Sequence, residues 1–157
     1  MKILLQLVVP ALLFAAGGAP ALAQVSPFPG TVSLKMRHDF DASVARLEKA
    51  IANNKMGLVA QASASRGAAA RGVTIPGNAV LMVFRNDYAV RMLSASVPAG
   101  IEAPLRIYLT GNSDGTTTVT YRKPSAVFAP YRSTELDLLA RELDPVFDKI
   151  VKDAAGG

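Results

Sequence analysis

Few side chains in this sequence are of a kind that does chemistry. It has one histidine, His38, and no cysteine, which removes thiol catalysis and any ordinary zinc site, because such sites draw on several histidine or cysteine ligands. Met36, Met56, Met82 and Met92 lie too far apart for a copper-binding tract and read as core or gap-filling residues. No serine stands in a nucleophile elbow, and no glycine run has dinucleotide or phosphate-loop spacing. Arginines, tyrosines and one asparagine remain. Arg106, Tyr108 and Arg122 fall in a predicted hairpin, Asn86 follows a strand, and His38 ends one. Guanidinium groups suit anions, which they grip with paired N–H donors. His38 is a candidate general base or ligand, and also reads as a structural residue bonded to the adjacent helix start. Arg66 and Arg71, in the glycine-bearing stretch SASRGAAARG, could cradle an anion, but the stretch reads first as a solvated connector.

The hairpin PLRIYLTGNSDGTTTVTYRK positions the main candidates. A three-residue loop, Ser113, Asp114 and Gly115, puts the glycine where a left-handed residue is needed and sets Leu109 opposite Val119. Leu105, Ile107, Leu109, Val119 and Tyr121 then share one face. A two-residue Asp114-Gly115 turn would set Leu109 opposite Thr120 and mix apolar with polar groups on each face, so the three-residue loop is the better register. The other face carries Arg106, Tyr108, Thr110, Thr118, Thr120 and Arg122, with the two guanidinium groups side by side.

Around the hairpin the chain supplies a scaffold. AVLMVFR, from Ala79, lacks polar alternation and predicts a central strand covered on both faces. TVSLKMRH predicts a first strand, with Val32, Leu34 and Met36 facing away from Ser33, Lys35 and Arg37. The first helix is expected over Asp41 to Asn54, capped by Asp39 or Asp41 and ended by Gly57, with Phe40, Val44, Leu47 and Ile51 as its buried stripe. GLVAQAS predicts a second strand, and the small-residue stretch after it is either a helix or a loop. Asn86 or Asp87 caps a short third helix before the Pro98 and Gly100 break. Pro124 to Arg132 reads as a loop. In the last helix Leu136, Leu139, Leu143, Phe147 and Ile150 keep helical phase across Pro145, where a restart capped by Asp144 is expected. The order β-α-β-(α)-β-α-β-β-α predicts one α+β domain over 31–153, with a 24–30 lead-in and a 154–157 tail. Its sheet would be mixed or antiparallel, with helices mainly on one face.

Lys2 followed by ILLQLVVPALLFAA and then Ala21-Leu22-Ala23 has the charged, apolar and small-residue regions of a Sec signal peptide, 1–23, cleaved after Ala23. The expected location is therefore periplasmic or secreted, with no transmembrane span after cleavage. No twin-arginine pair precedes the apolar run, so export is expected in the unfolded state and no cofactor is expected. Of 17 lysines and arginines the cleavage removes only Lys2, leaving 16 against 12 acidic residues, a formal charge of +4. A balance that mild argues against nucleic acid as a partner and favours a small anion, anionic lipid or polysaccharide.

Asn86, the Pro98-x-Gly100 break, Pro104-Leu105, Asp114-Gly115, Tyr121 and Pro124, together with Phe40-Asp41, resemble the bacterial family called domain of unknown function 302. The resemblance runs from about Thr31 to Tyr131 and is most specific in FRNDYAVRMLSASVPAGIEAPLRIYL. It implies a small α+β domain with no assigned activity. Proteobacterial members resembling this chain often carry an aspartate-histidine pair after the second strand, where this chain has Ser63 and Ala64. The resemblance thus implies that any chemistry of that pair is lost here or rests on His38. The residues leave three functions open: a binding module for a small or anionic ligand, a structural or homodimerising accessory protein, and a hydrolase or isomerase-like enzyme built from tyrosine, arginine and carboxylate groups. A pocket lined by Asn86, Arg106, Tyr108 and Arg122 would favour the first, and a flat apolar sheet face the second.

Overall fold

The structure, a computed structural model, describes residues 28–156. The expected signal peptide and its cleavage point lie outside them. The described residues form strands β1 (Thr31–Met36), β2 (Gly57–Ala62), β3 (Asn78–Phe84), β4 (Leu105–Gly111) and β5 (Thr117–Arg122). The helices are α1 (Phe40–Asn53), α2 (Ala64–Ala69), α3 (Asn86–Ala95), α4 (Pro124–Phe128) and α5 (Thr134–Ala155), with 3-10 turns at Val97–Glu102 and Ala129–Tyr131. The strands make one sheet in the order β1-β5-β4-β3-β2, and every neighbouring pair is antiparallel. The fold is α+β, as the pattern of elements implied.

The core lies between one sheet face and the paired helices α1 and α5. Val44, Leu47 and Ile51 of α1 meet Leu136, Leu139, Leu143, Phe147 and Ile150 of α5, all buried, over Leu81, Ile107, Leu109, Val119 and Tyr121 of the sheet. Fully burying one such aliphatic or aromatic side chain contributes about 1.5–3 kcal/mol. Asp39 accepts the Ala42 amide at 2.9 Å and fixes the start of α1. Ser133 does the same for α5 through the Leu136 amide at 3.3 Å. Ser63 caps α2 and also donates to the Asn78 carbonyl at 2.7 Å, so the ambiguous small-residue stretch is a short helix tied to the start of β3.

Several sequence expectations are corrected. β3 is internal but β4 is the middle strand, and β3 is covered on one face only. Ala79, Leu81 and Val83 are buried while Val80, Met82 and Phe84 are half-buried, because the helices pack on one side of the sheet. Helix α1 ends at Asn53 with Lys55 in the left-handed region at φ 58°, and Gly57 opens β2 instead of terminating the helix. Neither Asn86 nor Asp87 caps α3. Arg85 occupies the cap position without a side-chain bond to the helix amides, and its guanidinium donates to the Asp87 carboxylate at 2.6 and 2.9 Å. Of the expected 124–132 loop, residues 124–131 are helical and only Arg132 is not, with Phe128 buried beneath α5.

Helix α5 does not restart at Asp144. It runs through Pro145, held by its continuous buried stripe, while Asp144 accepts the Ser125 amide at 2.9 Å and hydroxyl at 2.6 Å and so ties down α4. The helix also reaches past the expected domain end. Ala154 is buried and its carbonyl accepts from Arg46 Nε at 2.7 Å, so it belongs to the packed domain and not to a tail.

Candidate functional site

The β4–β5 register is the one the three-residue loop requires. Leu109 faces Val119 and Tyr108 faces Thr120, while Gly115 has φ +77° and its amide closes the loop on the Asn112 carbonyl at 3.1 Å. Asp114 reinforces the loop: it accepts from Thr116 at its amide and hydroxyl and from Lys35 Nζ on β1 at 2.6 Å. The Lys35 ammonium, then the Thr116 donors, hold its carboxyl well below the usual carboxylate range. Carried one pair beyond Ile107 and Tyr121, the same register sets Arg106 against Arg122 on the open face of the sheet.

Both arginines line one pocket of about 150 Å³, with Leu105, Val127 and Glu102. Arg106 is exposed and has no hydrogen-bond or ion-pair partner among the described residues. Arg122 is half-buried. Its Nη2 donates to the Ala126 carbonyl at 3.3 Å, its Nε is buried without a partner, and the Phe28 ring lies 5.4 Å from its guanidinium carbon. Glu102, in the 3-10 turn ahead of β4, accepts the Tyr131 hydroxyl at 3.0 Å. Burial, and after it that carboxylate, raises the Tyr131 phenol above its ordinary value, so it stays a donor to Glu102 at neutral pH. No ion pair joins Glu102 to either arginine among the described residues. The pocket thus offers two guanidinium groups from the sheet and one carboxylate from the turn.

The other candidates lie elsewhere. Tyr108 is 42% exposed on the open face, two residues along β4 from Arg106, but does not line the pocket. Asn86 is exposed at the start of α3, two residues beyond the end of β3, and does not line it either. His38 sits two residues past Met36, which faces Thr117, whereas Arg122 faces Thr31. That places it roughly 20 Å along the strand direction from the arginines. Its main-chain carbonyl accepts the Ser43 and Thr117 hydroxyls at 3.2 and 3.0 Å and so joins the start of α1 to β5. Arg66 pairs with Asp41 at 3.6 Å, tying α2 to the start of α1.

Glu102, Tyr131, Val127 and Phe28 belong to the pocket or its border, and residue-level reading missed them. They come from the short helix α4, two 3-10 turns and the lead-in, segments too short to show hydrophobic periodicity. The one available signal was an acidic residue four positions before Arg106. A wider depression of about 390 Å³ lies at the opposite end, between Phe40, Gly77 and the hairpin loop. Asp39 is committed to its cap and the Asn112 amide to the Thr116 and Thr118 hydroxyls, and the lining has no basic side chain. Among the described residues no group of histidine and carboxylate side chains is placed to hold a metal ion, and no helix is long and apolar enough to cross a membrane.

No curated protein matches the chain. Among solved structures, the crystal structure of an uncharacterized conserved protein DUF302 from Bacillus stearothermophilus is similar, with a TM-score of 0.72 and 16% sequence identity. The likeness covers 80% of this chain and 98% of that one, and at such an identity it concerns the fold alone. The family model described as Domain of unknown function DUF302 matches residues 32–154, from the first strand of the sheet almost to the end of α5. The sheet, its covering helices and the hairpin that sets the arginine pair all fall within that match, and the chain belongs to the DUF302 family.

Proposed function

We propose that this protein is an exported accessory domain, periplasmic or secreted after cleavage behind Ala23, that binds a small anionic ligand between Arg106 and Arg122. The observation that carries the reading is the pairing of two guanidinium groups on adjacent strands, lining one pocket and free of ion pairs to the described residues. Like charges directly opposite on a sheet repel. An anion between them relieves that repulsion and gains charge-assisted hydrogen bonds.

Native mass spectrometry of the protein purified from the periplasm tests this. The wild type should retain a small anion, and the Arg106→Gln/Arg122→Gln double variant should lose it, since removing two charge-assisted contacts weakens binding by at least about tenfold. Neither arginine lies in the apolar core, so the variant should melt within about 1 kcal/mol of wild type. Identical bound species in both proteins would refute the assignment.

A homodimerising accessory protein is a second reading, supported by a different surface. Val90, Leu93, Val97 and Ile101 follow one another along α3 and the 3-10 turn, and are 55, 45, 75 and 83% exposed. Leu138 of α5 is 55% exposed beside them, since Arg91–Glu142 and Ser133–Ala95 contacts bring α5 alongside α3. Contiguous exposed aliphatics of this kind favour association. Sedimentation at increasing concentration should show dimers that Leu93→Glu and Ile101→Glu abolish; a monomer throughout would remove this reading.

A further inference from the structure

We infer that the Arg106–Arg122 pocket takes a zwitterion of the size of a small α-amino acid, with Glu102 receiving the cationic end; this rests on the anion-site reading above. The chemistry of the lining distinguishes three kinds of occupant. A plain anion between the guanidinium groups would share the pocket with a carboxylate of its own sign. A plain cation would meet Glu102 but also two arginines. A molecule carrying both charges satisfies every polar group, with its carboxylate on the strand side and its ammonium on the turn side.

Four further observations fit. Glu102 is held by Tyr131 and Arg122 by the Ala126 carbonyl, and the two are not paired with each other. One Glu102 oxygen is engaged by Tyr131, leaving the other to accept from an ammonium. Leu105 and Val127 provide apolar wall for a short aliphatic segment between the two charges. A volume of about 150 Å³ is that of about five waters at about 30 Å³ each in the liquid, the scale of glycine or alanine.

Isothermal titration of the purified protein with acetate, ethylammonium, glycine and L-alanine tests the inference. Glycine or alanine should bind at least about tenfold tighter than acetate, as expected for one added charge-assisted contact, and ethylammonium should not bind. Glu102→Gln, which keeps an acceptor for Tyr131, should bring the zwitterions down to the acetate level without weakening acetate. The double arginine variant should bind neither acetate nor the two amino acids. Acetate binding as tightly as glycine to the wild type would overturn zwitterion selection and leave the anion site standing. Binding of zwitterions that survives Glu102→Gln would overturn the role of Glu102. Absence of binding by acetate and both amino acids would refute the inference together with the site beneath it.

Discussion

Two glycines with left-handed backbone separate conformational cost from packing cost, and both bear on the arginine pocket. Gly115 has φ +77° and open space where a Cβ would stand, so Gly115→Ala is penalised by conformation alone. The left-handed region costs an alanine about 1–2 kcal/mol, offset by about 0.4–1 kcal/mol gained from a stiffer unfolded chain, for a net loss of about 1 kcal/mol. Gly30 has φ +72°, but there a Cβ would overlap the Cβ of Ala126 on α4, and its carbonyl accepts the Lys123 amide at 2.9 Å. Overpacking adds about 1–3 kcal/mol, so Gly30→Ala should lose about 2–4 kcal/mol. It should also displace Phe28 from Arg122. Urea melts rank the variants, and thermal midpoints should fall by roughly 3–6 °C for each kcal/mol lost. Gly115→Asn, which tolerates the left-handed region, should be near neutral, and Asp114→Ala, at an exposed ion pair, should lose less than Gly115→Ala. Equal losses for Gly30→Ala and Gly115→Ala would refute the packing of the lead-in on α4, and a neutral Gly115→Ala would refute the loop that sets Arg106 against Arg122.

Pro145→Ala should raise stability by about 1–3 kcal/mol in urea melts, because a proline inside a helix forfeits a backbone hydrogen bond; if the chain restarted there the proline would be favourable and its loss destabilising. Asp144→Ala should cost about 1–3 kcal/mol by leaving the Ser125 amide and hydroxyl without their acceptor. The Tyr121 phenol, buried and donating to Asp148, is raised above its ordinary value of 10.0 by desolvation and then by that carboxylate. The folded state therefore holds this proton where the unfolded chain releases it, and stability should decline as pH rises from about 10; in Tyr121→Phe that decline should be shallower. A double-mutant cycle on Arg91 and Glu142, a half-exposed bidentate pair, should give a coupling below about 1 kcal/mol that shrinks with salt.

The alternation of Leu105, Ile107 and Leu109 against Val119 and Tyr121, with Gly115 between them, determined the hairpin register from the sequence alone, because a one-residue slip would turn every buried side chain to water. The stripes of α1 and α5 were equally legible, since a 3.6-residue period leaves one way to bury them. With the register came the opposition of Arg106 and Arg122. Tertiary structure decided what the local pattern could not carry. The apolar run of β3 reads as doubly buried, yet one face stays open because both long helices chose the other. Asp144 has the composition of a cap but bonds Ser125, since the unbroken stripe of α5 outweighs the break at Pro145. Above all, Glu102 joins the arginines only through the docking of a turn, its Tyr131 partner 29 positions away in sequence. Neighbours brought together by chain folding leave no period to read, so the anionic half of the site was decided by the fold.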